Sequence, residues 1–189
     1  LDWDEFTYTS QNTSKHTYTA TTLASTLTTA GYTTNSGQIN TTGSGLTFGT
    51  FAMFPLLATQ TLVCETSVSF TAQPTSNLII DFGLFLRGSS AAFAPTDGVY
   101  FRLTSAGLQG VVNYNTTETT TSVFPAVGTG GSGTWTYTNN TVYRFLIQVT
   151  NVQTTFWVNN ILLGAISQPI ANMMPCMSAA LPWSIRHAN

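Results

Sequence analysis

A chain of 189 residues is long enough for one all-β unit with two packed sheets, and its 42% apolar content supplies the core. Only 6% of the residues are charged, against about 25% in an ordinary globular domain. Five Lys and Arg against seven Asp and Glu give a net charge of −2, which excludes the clustered cations that nucleic-acid binding by counterion release requires.

No apolar run is long enough for a membrane-spanning helix, since Asp81 interrupts the most apolar stretch. Threonine, serine, asparagine and glycine take over the solvating role of charge, with Thr-rich runs at 17–34, 116–121 and 134–141. Such a surface hydrates well but exerts no long-range field. The chain starts at Leu1 with Asp2, Asp4 and Glu5 close by, not with a basic signal-type segment, and is expected to be a processed product or the ordered part of a longer polypeptide.

In chain order, residues 1–50 are Thr-rich and weakly patterned, 1–45 above all, with strand-like pieces around Tyr18 and from Leu46 to Phe51. Leu23 and Leu27 have helical spacing, but the threonines around them are stiff at χ1 and disfavour helix. From Leu62 to Phe70 the pattern alternates, with Leu62, Cys64, Val68 and Phe70 on one face and Glu65, Ser67 and Ser69 on the other. The segment 78–87, LIIDFGLFLR, is apolar on both faces and predicts a strand in the middle of a sheet covered on both sides, or at an interface. A loop follows, closed by a turn at Pro95–Gly98.

The stretch from Asp97 to Ile166 predicts an antiparallel meander, carried by Val99, Phe101 and Leu103, then Leu108, Val112 and Tyr114, then Tyr143, Phe145, Ile147 and Val149. A glycine-rich loop at Gly128–Gly133 interrupts it, and Asn159–Asn160 suits a type I′ hairpin. The last predicted strand covers Ser178–His187, where Pro182 confines it to an edge or a bulge. Many short strands with Gly and Pro turns and no helix of ten residues indicate an all-β, antiparallel two-sheet jelly-roll sandwich spanning 1–189 as one domain.

Chemistry-bearing residues are few. Cys64, in phase with its apolar neighbours, reads as a small buried hydrophobe, and a bridge to Cys176 is the alternative. His16 and His187 have no His or Cys at metal-ligand spacing, and no cofactor is implied. Glu65 reads as a solvated outer-face residue, and Asp81 as a partner of Arg87 or Arg102 or as a group hydrogen-bonded at an interface. An aromatic platform flanked by polar side chains would suit a surface glycan, and Trp135, Tyr137 and Trp157 are the residues for it. Sequons at Asn12, Asn40, Asn115 and Asn139 matter only in a eukaryotic secretory pathway.

The succession IIDFGLFL, PTDGVYFRL, GVVNYN with TETTT, and FWVNN resembles concanavalin A-like (LamG-like) jelly rolls, and more narrowly those of tailed-bacteriophage virion proteins. The resemblance covers 46–187 loosely and 78–166 well. It implies a non-enzymatic structural protein of a virion surface, decorating a capsid or forming a tail or fibre part, with other virion proteins and copies of itself as partners. Ile79, Phe85, Trp157, Pro182, Trp183 and His187 are the expected subunit contacts.

Similar domains continue past the strand matching Leu181–Arg186, so an open edge there is expected to be covered from outside this sequence. Asp97 beside Gly98 could ligate calcium as LamG-like domains sometimes do, although a turn aspartate is the plainer reading. Glycosidases of this fold supply paired acids from one strand as Glu-x-Asp-x-x-Glu, a motif this chain lacks. The alternative function is a carbohydrate-binding, lectin-like module for host attachment.

Overall fold

The computed structural model describes residues 14–20, 25–28, 31–34, 45–57, 60–74, 77–126, 133–168 and 174–189. Among these, all regular structure is β-strand: β1 (His16–Ala20), β2 (Ser25–Thr28), β3 (Gly31–Thr34), β4 (Gly45–Pro55), β5 (Leu62–Ser69), β6 (Ile79–Arg87), β7 (Pro95–Thr104), β8 (Gly107–Tyr114), β9 (Thr117–Thr120), β10 (Val142–Val149), β11 (Gln153–Val158), β12 (Ile161–Ser167) and β13 (Ala180–Ala188). A seven-stranded antiparallel sheet runs β1-β4-β13-β6-β7-β8-β9, and a four-stranded one runs β12-β11-β10-β5, with β2 and β3 paired as a hairpin.

Strand alternation decides which residues meet between the sheets. On the large sheet Ile185, Phe82, Phe101 and Gly110 stand in one row and Trp183, Leu84, Val99 and Val112 in the next. Phe145, Ile147 and Val149 of β10, with Phe156 and Val158 of β11, descend on them from the small sheet. Phe101 sits at the centre, its ring centroid 5.2 Å from Phe145, 5.3 Å from Phe156 and 5.4 Å from Phe82. Gly110 supplies the clearance for Phe156, because a Cβ there would lie 2.5 Å from its ring.

Strand β6 is fourth of seven, as its two apolar faces require. Phe82 and Leu84 point into the sandwich, while Phe85 on the opposite face joins Tyr100 and Val111 in a second small core. Gly98 makes room for Phe85: its φ is 150°, and a Cβ there would come within 2.6 Å of Phe85 and Leu84 atoms. The loop 88–94 is tied down by the Gly88 N–H to Ala94 and, at the rim, by the Arg186 Nε–H to the Ala92 carbonyl at 2.7 Å. The hairpin at Asn159–Asn160 has φ of 48° and 66°, the left-handed pair that a type I′ turn demands.

Three expectations are corrected. The meander from Asp97 to Ile166 is divided: β7, β8 and β9 belong to the large sheet and β10, β11 and β12 to the small one, because the segment between β9 and β10 crosses the sandwich. Pro95–Gly98 is the beginning of β7, not a turn; the reversal lies earlier, where Phe93 (φ 50°) donates its N–H to Ser90. Strand β13 is no edge, being hydrogen-bonded to β4 and β6 on its two sides. Pro182 does sit at an irregularity, the bulge of the two expected alternatives: β6 pairing begins only at Trp183 and the β4 register shifts between Pro182 and Ser184. Leu27 pairs with Tyr32 in an extended strand, while Leu23 and most of the glycine-rich loop lie outside the described residues.

Gly110→Ala should lower stability by about 1–3 kcal/mol, since the added methyl must displace the Phe156 ring. Thermal unfolding should register this as a midpoint roughly 3–10 °C lower; an unchanged midpoint would show that the two sheets pack less tightly than described.

Candidate functional site

Two surfaces concentrate the polar chemistry of the described residues, one on each sheet. On the small sheet, the residues that do not enter the core form a flat outer face. Glu65, Leu146, Trp157 and Leu162 stand in one cross-strand row, and Val63, Gln148, Thr155 and Ala165 in the next. Trp157 is half-buried, held by a hydrogen bond from its Nε1–H to Thr155 Oγ1 at 2.9 Å. Arg144 Nε meets Glu65 Oε1 at 2.8 Å, with the two side chains 48% and 43% exposed. An ion pair this wet contributes at most about 1 kcal/mol, so both groups can exchange their partner for hydroxyls of a ligand.

On the outer face of the large sheet lies a tighter cluster. The Asp81 carboxylate accepts from Arg102 Nε at 2.8 Å and Nη2 at 3.2 Å, and from Arg186 Nη1 at 2.7 Å. The other end of the Arg102 guanidinium donates to Glu118, Nη1 to Oε2 at 2.6 Å and Nη2 to Oε1 at 2.9 Å, while Tyr100 OH donates to Glu118 Oε1 at 2.7 Å. Two guanidiniums face two carboxylates, so the cluster is neutral. Burial alone would raise the Glu118 carboxyl, but the hydrogen bonds from Arg102 and Tyr100 overcome it and hold Glu118 below the usual carboxylate range. Burial, and then the Asp81 charge, push the Tyr100 phenol up, so it remains a donor. Each carboxylate is committed to guanidinium donors, an arrangement suited to holding position and not to transferring protons.

Asp97 is a third polar anchor. Its buried carboxylate accepts three backbone N–H groups, from Asn115 at 3.3 Å, Met177 at 3.0 Å and Ser178 at 2.7 Å. These donors occupy the oxygens that a calcium ion would need, and they join the start of β7 to the β8–β9 turn and to the segment entering β13. Cys64 and Cys176 are both free thiols. Burial, and then the neighbouring Glu65 charge, push the Cys64 thiol up to about 12, so it behaves as an inert hydrophobe.

Of the residues singled out from sequence, Trp157 alone combines a core-opposed surface position with a polar surround. Trp135, 4% exposed, belongs to the core and lies edge-on to Tyr143 at 5.5 Å and Phe145 at 5.9 Å. Tyr137 packs on Phe70 at 4.8 Å. Trp135 therefore has no free ring face for a sugar. Phe85 (0% exposed) and His187 (1%) are inside the chain's own fold and cannot be subunit contacts, because the neighbouring strands already cover them. Ile79, Pro182 and Trp183 are half-buried.

Glu65 is exposed as expected, and Asp81 pairs with Arg102 but also with Arg186, which sequence reasoning missed. It also missed Glu118 and Tyr100. Arg102 and Arg186 each occupy the outward phase of an otherwise apolar strand, a signal shared with Asp81, but only the strand order brings the three together.

No family model and no curated protein matches the chain. Solved structures with the same fold are found. A carbohydrate-binding module, CBM66 from Bacillus subtilis, aligns over 91% of this chain and 92% of its own, with 9% identity and a TM-score of 0.52. The carbohydrate recognition domain of Emp46p aligns over 99% and 90%, with 12% identity and a TM-score of 0.58. A glycoside hydrolase family protein from Mycobacterium thermorestibile aligns over 98% and 88%, with 10% identity and a TM-score of 0.60. At such identities the likeness establishes the fold: an all-β jelly-roll sandwich of the concanavalin A-like type.

Removing the three-way acceptor with Asp97→Ala should destabilise the protein by about 2–4 kcal/mol and speed amide exchange at Asn115, Met177 and Ser178 ahead of the rest of the sheet; uniform protection at those amides would contradict the anchoring role. His187 supplies a pH test. Burial, and then the adjacent Arg186, push its imidazole down to about 4, and neither ring nitrogen has a hydrogen-bond partner. The unfolded chain binds a proton near pH ~6.5 where the folded one does not. The contribution of the neutral ring is therefore complete above about pH 6.5 and is lost as the pH falls towards about 4, amounting to roughly 3 kcal/mol at most. Urea unfolding across that window should show a loss that His187→Leu abolishes; an identical loss in the variant would assign it elsewhere.

Proposed function

We propose that the chain is a non-catalytic carbohydrate-binding, lectin-like module that contacts sugar through the outer face of its small sheet. The observation that carries this reading is Trp157: a half-buried indole on the outer face, fixed by Thr155, with Glu65, Arg144 and Gln148 on the neighbouring strands. An indole face packs against the C–H face of a pyranose, and carboxylate, guanidinium and amide groups around it match ring hydroxyls. The shared fold with carbohydrate-binding and carbohydrate-recognition domains supports the same reading. A shallow face of this kind suits weak binding per site, which repeated copies would raise by avidity.

A second reading is a non-enzymatic virion surface protein acting through subunit contacts. The exposed Phe51 and Met53 on β4, and Val63 and Leu162 beside Trp157, support it, since apolar groups of this size on a surface favour burial against a neighbour. Carbohydrate-binding and carbohydrate-recognition domains of the same fold give the glycan reading the stronger support.

A glycan array followed by titration decides between them. Trp157→Ala should weaken binding by about tenfold or more and move the unfolding midpoint by no more than a few degrees, roughly 3 °C. Absence of glycan binding by the parent protein, together with a closed oligomer in sedimentation, would favour the second reading.

A further inference from the structure

On the opposite side of the sandwich, we infer that Arg102 and Tyr100 form a carboxylate-binding cradle which Glu118 of the edge strand β9 fills when no ligand is present, and that the ligand it takes is the carboxylate of an acidic sugar. The identity of the ligand as a sugar rests on the carbohydrate reading above; the carboxylate chemistry does not.

The cradle belongs to the rigid part of the molecule. Tyr100 is fully buried on β7, next to Phe85 and Val111, and Asp81 grips the Nε–Nη2 edge of Arg102 from behind while itself bound to the buried Arg186. The guanidinium is thereby aimed, with its Nη1–Nη2 end presented outward as a bidentate fork and the phenol hydroxyl beside it at 3.3 Å. Three donors thus converge on one carboxylate, the geometry by which arginine recognises planar oxyanions.

The occupant sits on an exposed edge. Strand β9 has four residues, all exposed, and pairs only with β8 at the border of the large sheet. The turn that launches it places Asn115 at φ 46° and Thr116 at φ 71°, the second being a β-branched residue in the left-handed region, where strain is stored. Short, exposed edge pairings are among the first to open. Charge sets what must follow if β9 lifts. Without Glu118, Arg102 and Arg186 face Asp81 alone, and the surplus of one positive charge calls for one carboxylate, from the chain itself or from a ligand.

The test uses acetate as the minimal probe, glucuronate as the acidic sugar and glucose as the neutral control, each followed by NMR at the Arg102 Nε–H and the Tyr100 ring. Glu118→Ala should show saturable shifts with acetate and with glucuronate, at least about tenfold tighter than the parent protein, in which the internal carboxylate competes. Adding Arg102→Lys to that variant should remove the binding, since an ammonium keeps the charge but not the fork. No probe-dependent shift in Glu118→Ala, or equal binding by variant and parent, would overturn the proposal. Binding of neutral glycan at Trp157 should be the same in variant and parent, so failure of the carbohydrate reading would be seen separately.

If Glu118→Ala does not fold, the parent protein still decides the question. Amide exchange at Thr117–Thr120 should accelerate in glucuronate relative to chloride at equal ionic strength, and unaltered exchange there would refute the competition.

Discussion

The contact on which the rest depends is the meeting of Phe101 with Phe145 and Phe156 between the two sheets. These rings, with Phe82, pack largely edge-on at centroid separations near 5 Å. Edge-to-face packing of this kind adds about 0.5–1.5 kcal/mol per pair to the burial of the rings themselves. It works only because Gly110 leaves space under Phe156. With the inner faces locked in this way, strand alternation leaves no choice about the outer ones: Trp157 must face away from Phe156, and Arg102 away from Phe101.

The two outer faces are consequently made of similar residue types in opposite states. The Arg144–Glu65 pair stands in water and is replaceable, whereas Arg102, Arg186, Asp81 and Glu118 are interlocked and mostly shielded. Breaking a shielded pair leaves an uncompensated charge in a poorly hydrated place, which costs several-fold more than breaking an exposed one. One face therefore lends itself to shallow contact with a neutral ligand, and the other to holding a charge that only another charge can replace. In a chain so poor in ionisable residues, the gathering of four of them on one sheet face is the main electrostatic event of the fold.

How legible this was depends on the range of the interaction. The two apolar faces of LIIDFGLFLR announced a central strand, and β6 is one. The Asn159–Asn160 turn and the inward phase of Cys64, Val68 and Phe70 were equally readable, since each is decided within a few residues. Pro182 announced an edge or a bulge, and the register shift beside it is the second of these; which of the two applied was not legible, because it depends on where β6 starts to pair, about a hundred residues earlier in the chain. Trp135 misled for a related reason. Beside a glycine-rich loop it looked like a surface platform, yet its N–H bonds to the Phe124 carbonyl and its ring lies in the core against Tyr143 and Phe145.

The sequence by itself determined the all-β class, most of the strands, the phase of each strand and the scarcity of charge, because side-chain alternation and turn chemistry are local properties. Tertiary structure alone decided that the central stretch is shared between two sheets, that β13 is flanked on both sides, and that Asp81 meets Arg186 as well as Arg102. It also decided that Glu118 closes over Arg102 and Tyr100. Those facts rest on strand order and register, which are set by non-local packing of whole faces and leave no trace in the spacing of residues along one strand.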